Sequence, residues 1–205
     1  QDWRNRNRIK TPNGVRWLTI PVGSDEHRLV CEVELTDSSW QAEHWKRLQQ
    51  SYQRAPHFEK YREPLEEIYM GRTWTKLSEL NQHLIRLICG WLGITTILRD
   101  SRRYRISGRK ADRVLALLDA VGATHYLSGP AAKAYLEPAE FEKRKLHLEW
   151  MDFSSFTEYD QFWPPFRHDI TVLDALFHLG DTARFAVCRR GQFSGVGPQA
   201  EGDKS

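Results

Sequence analysis

The stretch Ala123-Thr-His-Tyr-Leu-Ser-Gly-Pro-Ala-Ala-Lys133-Ala-Tyr-Leu136 decides the fold class. A short apolar run, Tyr126 and Leu127, breaks at Ser128-Gly129, and Pro130 then opens a segment of helix formers. Ser is favoured as a helix cap. Pro is favoured at the first helical position, where its missing N–H would go unpaired anyway. The segment therefore reads as strand, tight turn and helix start. Free backbone N–H groups and the positive end of a helix dipole let such a junction hold a phosphate or carboxylate. Lys133, within the first turn or so, adds a mobile cation. The plainer alternative is an ordinary strand-to-helix turn carrying a solvated lysine.

Outward from this stretch, periodicity supplies the remaining elements. Residues 15–22 follow a Pro12-Asn13-Gly14 turn and are rich in strand formers, and residues 28–35 alternate, so both are predicted strands. Ser39 can cap a helix carrying Trp45, Leu48 and Tyr52. Residues 58–69 read as another helix, which Pro64 either kinks or reopens. Leu77, Leu80, Leu84, Leu87, Ile88 and Trp91 recur at three- and four-residue steps and predict a helix over 76–92, stopped by Gly93. Strands are expected at 94–98, 124–127 and 147–150, and helices at 110–121, 131–136 and 172–179. The alternation implies an α/β fold: a mainly parallel sheet with helical crossovers in a Rossmann-like three-layer arrangement. Ligands of such sheets bind beyond the carboxyl ends of the strands. Those ends would carry Arg99-Asp100-Ser101, Ser128-Gly129-Pro130 and Met151-Asp152-Phe153, and a single pocket bounded by the first two and the N-terminal arginines is expected.

Composition sets outer limits. A chain of 205 residues, 40% hydrophobic, can bury one sizeable core, so residues 1–190 are expected to form a single domain. Residues 191–205 are rich in Gly, Ser and charge, and are expected to be disordered. The net charge of +3 is too small to argue for nucleic acid by itself. Arginines nevertheless cluster at Arg4, Arg6, Arg8 and Arg16, and again at Arg99, Arg102, Arg103, Arg105, Arg109 and Arg113. Such clusters suit phosphate-bearing ligands as well as RNA. Three cysteines, Cys31, Cys89 and Cys188, lack metal-ligand spacing and argue against a disulfide framework. Neither a signal peptide nor a membrane-crossing apolar run is evident, which fits a cytoplasmic protein without membrane insertion. The arginine-rich start at Gln1, without an initiator Met, suggests that part of the protein precedes it.

Several residues are candidates for chemistry. In Arg4-Asn5-Arg6-Asn7-Arg8, an extended strand would align the arginines on one face. Arginine forks grip phosphate or carboxylate, and Asn5 and Asn7 can serve sugar hydroxyls. The alternative is a solvated basic arm. His44 is a candidate general acid or base, or else a surface or capping residue. Lys46, with Gln50 four residues on, and Tyr52 are candidate substrate contacts of the same helix, as are Ser101, Ser128, Gly129, Lys133 and Asp152 at the expected strand ends. His125 is expected to be buried. His147 and Glu149 share a strand face, but a third metal ligand is not evident and no metal is expected. No cofactor or oligomeric state can be assigned.

Several stretches resemble the WbqC-like protein family. They are Asp2 to Lys10 with Trp17 to Val22; His44-Trp-Lys with Gln50, Tyr52 and Ala55-Pro-His-Phe58; Leu80-Asn81 with Leu84-Ile85; Gly122 to Lys133; Leu148 to Phe153; and Val172 to Phe177 with Gly180. Family members usually begin earlier, with a strand–helix–strand unit that has no counterpart here. The resemblance implies a setting in bacterial surface polysaccharide or amino-sugar synthesis. An enzyme acting on an anionic, nucleotide-sugar-like molecule is therefore expected, with acyl or aminoacyl transfer to an amino group as a possible reaction. The alternative is a non-catalytic module using its arginines for a nucleic acid or protein partner. Nucleic acid is disfavoured, because most aromatic residues fall at core positions instead of forming stacking surfaces.

Overall fold

The computed structural model describes residues 3–25, 27–154 and 156–187. They form two compact units, one from the described residues up to 95 together with 156–187, the other from those between 96 and 154. The tail beginning at residue 191, expected to be disordered, lies outside the described residues.

The first unit opens with an antiparallel hairpin, β1 (Arg6–Thr11) and β2 (Gly14–Thr19), in the register Arg8 opposite Trp17 and Ile9 opposite Arg16. Gly14 takes a φ of +89°, a left-handed conformation that only glycine adopts cheaply at the end of so tight a turn. The expected second strand does not form. Residues Val30–Glu32 make a 3-10 turn, and Glu34 makes a lone antiparallel bridge to Lys76. The alternation there was a true burial signal, since Val33 and Leu35 are buried and Glu34 is exposed. It lacked a partner strand long enough to extend the ladder.

Helix α1 (Ser39–Tyr52) follows, then α2 (Phe58–Glu66), which contains Pro64 and widens into a π turn over Glu67–Gly71. Proline removes one helical donor and crowds the preceding turn, which accounts for disturbance at this point. Helix α3 (Leu77–Trp91) turns Leu77 and Leu80 into the core, and Gly93, at φ +66°, ends it as the sequence predicts. Around Phe177 the core is aromatic: Tyr52 and Phe58 each place their ring centre 5.1 Å from it. Most of the tryptophans and tyrosines thus pack instead of presenting stacking surfaces.

The second unit carries α4 (Lys110–Ala120), β3 (His125–Ser128), α5 (Pro138–Lys143) and β4 (His147–Trp150). β3 and β4 pair in parallel, with His125 opposite His147 and Ser128 opposite Trp150. One face of this pair, Tyr126, Leu148 and Trp150, packs on a core of Leu115, Leu118, Leu136, Phe141 and Leu146. Within the first unit again, α6 is Val172–Leu179 and α7 is Ala183–Val187.

The expected mainly parallel, Rossmann-like sheet is not what the described residues form. They make two separate two-stranded sheets, one antiparallel and one parallel. Residues 94–98, read as a strand, are without regular structure, and Ile97 is 75% exposed. An apolar run becomes a strand only when an adjacent backbone pairs with it, and among the described residues none does. Residues 131–136, read as a helix, instead make a short 3-10 turn, Pro130–Ala134.

Candidate ligand-binding cleft

The hairpin separates its residues onto two faces, as the period of two requires. Arg6 and Arg8 share one, with their guanidinium groups 4.5 and 5.0 Å from the centre of the Trp17 ring. Arg8 also pairs with Asp169 at 2.8 Å, and Arg167 grips the same carboxylate through two nitrogens. The hydrogen bond from Arg167, and the charges of Arg8 and Arg167, hold Asp169 below the usual carboxylate range against a smaller effect of burial. Arg8 is therefore engaged within the protein. Asn5 is buried and clamps the hairpin's open end, donating to the Ile20 carbonyl at 2.8 Å. Asn7 accepts from the Arg8 amide at 2.8 Å.

The other face carries Ile9 and, opposite it, Arg16. Between this face and α1 lies a cleft of about 370 Å³, floored by Ile9 and lined by Thr11, Asn13, Arg16, Arg47, Gln50 and Ser51. Its volume falls within the range of small-molecule sites. Arg47 is held by Glu43 at 2.7 Å and donates weakly to the Trp17 carbonyl. Arg16 is exposed, and its side chain has no hydrogen-bond or ion-pair partner among the described residues. The cleft thus offers one free guanidinium, one orientable guanidinium and several carboxamide and hydroxyl groups, a donor-rich set for an anion bearing hydroxyls.

A buried polar network joins the hairpin to α6. Asp174 is fully buried in α6, and its Oδ1 accepts from the Tyr159 hydroxyl at 2.9 Å. His178, one turn on, donates from Nδ1 to the Asp174 carbonyl at 2.8 Å and accepts the Phe162 amide at Nε2. These two partners place the imidazole proton on Nδ1. Burial alone would lower the His178 pKa, but the hydrogen bonds and charge of Asp174 outweigh it and leave the pKa raised. The Lys10 amide donates to the Tyr52 hydroxyl at 3.0 Å, while its Nζ donates to Gln161 and to the Pro165 carbonyl. Burial draws the Lys10 pKa below its ordinary value, opposed by Asp174. Burial, then the charge of Asp174, raises the Tyr52 phenol. These bonds fasten the irregular segment 157–170 to the hairpin and α6.

His44 is only 6% exposed, and its Nε2 lies 3.2 Å from the Thr19 carbonyl. A carbonyl can only accept, so Nε2 bears the proton. Burial lowers the His44 pKa to about 4, against the smaller effect of that hydrogen bond, and the ring is neutral at physiological pH. These features describe a residue that ties α1 to β2. Lys46 is exposed on α1, and Tyr52 is buried.

In the second unit, Ser101 is exposed in a 3-10 turn, Ser101–Arg103. Asp100 caps that turn, and hydrogen bonds from the Arg102 side chain and amide bring its carboxyl down to about 2. Ser128 is buried and Gly129 exposed, with a φ of −70° and open space where a Cβ would stand. The Ser128–Lys133 turn therefore requires no glycine and leads into no α-helix. Lys133 lies 5.4 Å over the Trp150 ring, and Asp152 accepts from the amide and hydroxyl of Ser154. His125, expected to be buried, is exposed. Among the described residues no three or more His, Cys, Asp or Glu side chains are grouped to hold a metal. Likewise no described helix is long and apolar enough to cross a membrane.

A family model for the WbqC-like protein family matches residues 1–185. The chain belongs to that family. It is also 36% identical over 185 residues to a Mycobacterium tuberculosis (strain ATCC 25618 / H37Rv) protein named "Uncharacterized protein Rv1507c", covering 89% of this chain and 80% of that one. No solved structure matches significantly. In this WbqC-like chain, sequence reasoning missed Arg47, Lys10, Asp174 and His178. A signal existed for the last two: an Asp inside the apolar run Val172-Leu-Asp-Ala-Leu-Phe177, with a His four residues later on the same helical face.

Proposed function

We propose that this WbqC-like protein binds a small anionic molecule of the sugar-phosphate or nucleotide-sugar class in the hairpin–α1 cleft, in the cytoplasm. The observation that carries this reading is the Arg16 guanidinium, without a partner among the described residues, in a polar cleft of about 370 Å³. A guanidinium without an internal acceptor is free to fork onto a phosphate, and Asn13 and Gln50 are placed to meet hydroxyls. The family's resemblance to proteins of bacterial surface polysaccharide and amino-sugar synthesis supports an amino sugar as the bound group. The reaction we propose is acyl or aminoacyl transfer to its amine. A nucleic-acid module would need its arginines in an open stripe, whereas Arg8 is spent on Asp169 and Arg102 on Asp100.

The test is calorimetric titration with a hexosamine phosphate, a UDP-hexosamine and inorganic phosphate. Arg16→Ala should weaken binding by about 1–3 kcal/mol, the worth of a charge-assisted hydrogen bond. The melting temperature should stay unchanged, since the Arg16 side chain bonds to none of the described residues. Equal affinity in the variant, or no binding of any of the three, refutes the cleft as the site.

A further inference from the structure

The face of the β3–β4 pair turned away from its core carries His125 and His147 side by side in register, both exposed. Parallel strands are usually covered on both faces and filled with aliphatic side chains. Here the uncovered face presents two imidazoles whose ring centres are 5.3 Å apart, at 59°. A metal–nitrogen bond of about 2.1 Å, with about 1.1 Å from nitrogen to ring centre, places each ring centre roughly 3.2 Å from the ion. Two such rings at a tetrahedral angle then stand about 5.2 Å apart. The observed spacing matches that figure without movement of either strand.

Orientation supports the same reading. Nδ1 of His125 lies 2.9 Å from the Thr124 hydroxyl. With Nδ1–H donating to that hydroxyl, the Nε2 lone pair is left for an ion, the arrangement by which outer partners orient metal-bound histidines. The His147 side chain makes no hydrogen bond or ion pair among the described residues, although its backbone amide donates to the Thr124 carbonyl at 2.8 Å. We propose that His125 and His147 form a two-imidazole site for Zn2+, with its remaining positions taken by water. Two protein ligands leave the ion open on one side, so the site would bind exchangeably, unlike a closed four-ligand structural zinc. It stands independently of the anion cleft, since every residue involved belongs to the second unit.

Calorimetric titration of zinc chloride into the full chain at pH 7.5 tests this. One equivalent should bind, and His125→Gln and His147→Gln should each weaken it at least tenfold, with Thr124→Val weakening it several-fold. Both histidines are exposed, so the variants should melt with the wild type. Independently of any variant, Zn2+ should shift the ring resonances of His125 and His147 together in the NMR spectrum of the wild-type protein. No binding, unchanged affinity in either His variant, or shifts confined to other histidines overturns the assignment.

Discussion

His44 should make this protein acid-labile in a way that a single substitution removes. In the unfolded chain its imidazole titrates near the ordinary value of 6.5, while in the folded protein burial lowers that value to about 4. Because the folded pKa is depressed, the stabilisation is complete above pH 6.5. It is lost as pH falls toward 4, where the unfolded state takes up a proton that the native state refuses. At 1.36 kcal/mol for each pH unit of difference, the loss by pH 4 is about 3 kcal/mol, a large share of an ordinary domain's stability. His44→Gln keeps a donor for the Thr19 carbonyl but cannot titrate. Urea denaturation of both proteins between pH 7.5 and 4 isolates the effect, because every other acid-sensitive group is common to them. The stability difference between wild type and variant should move by about 3 kcal/mol in the variant's favour on acidification. Parallel curves, or an NMR titration of the His44 ring near 6.5, would refute the burial argument.

Two further substitutions probe the packing behind the cleft. Gly180 ends α6 at φ +59°, and a Cβ there would stand 2.8 Å from Nδ1 of His57. Gly180→Ala should therefore destabilise the first unit by about 2 kcal/mol or more, from left-handed strain plus the clash, and a neutral result in denaturant titration would show that His57 yields freely. The Tyr61 hydroxyl is buried without a hydrogen-bond partner among the described residues. Tyr61→Phe should leave stability unchanged or raise it by up to about 1 kcal/mol, and a marked loss in the same assay would reveal a hidden partner.

Local chemistry was legible in the sequence wherever a residue's role depends on its near neighbours. The 3.6-residue stripe from Leu77 to Trp91, the stops at Gly93 and Gly180, and the helix of residues 172–179 follow from spacing and backbone permissiveness alone. So does the alignment of Arg6 and Arg8 on one strand face. Sheet architecture was not legible, because a strand exists only through a partner that can lie anywhere along the chain. Residues 28–35 and 94–98 had the composition of strands and found no extended partner, whereas 147–150 found residues 125–128. The candidate site divided the same way. Arg16 could be singled out as a cation, but its freedom depends on Glu43 engaging Arg47 while no described residue engages the Arg16 guanidinium. His44 had the chemistry of an acid–base residue, and the packing of α1 against β2 buries it beside the Thr19 carbonyl and keeps its ring neutral. Side-chain identity belongs to the sequence. Burial and partnership, which set charge and availability, arise only when distant segments meet.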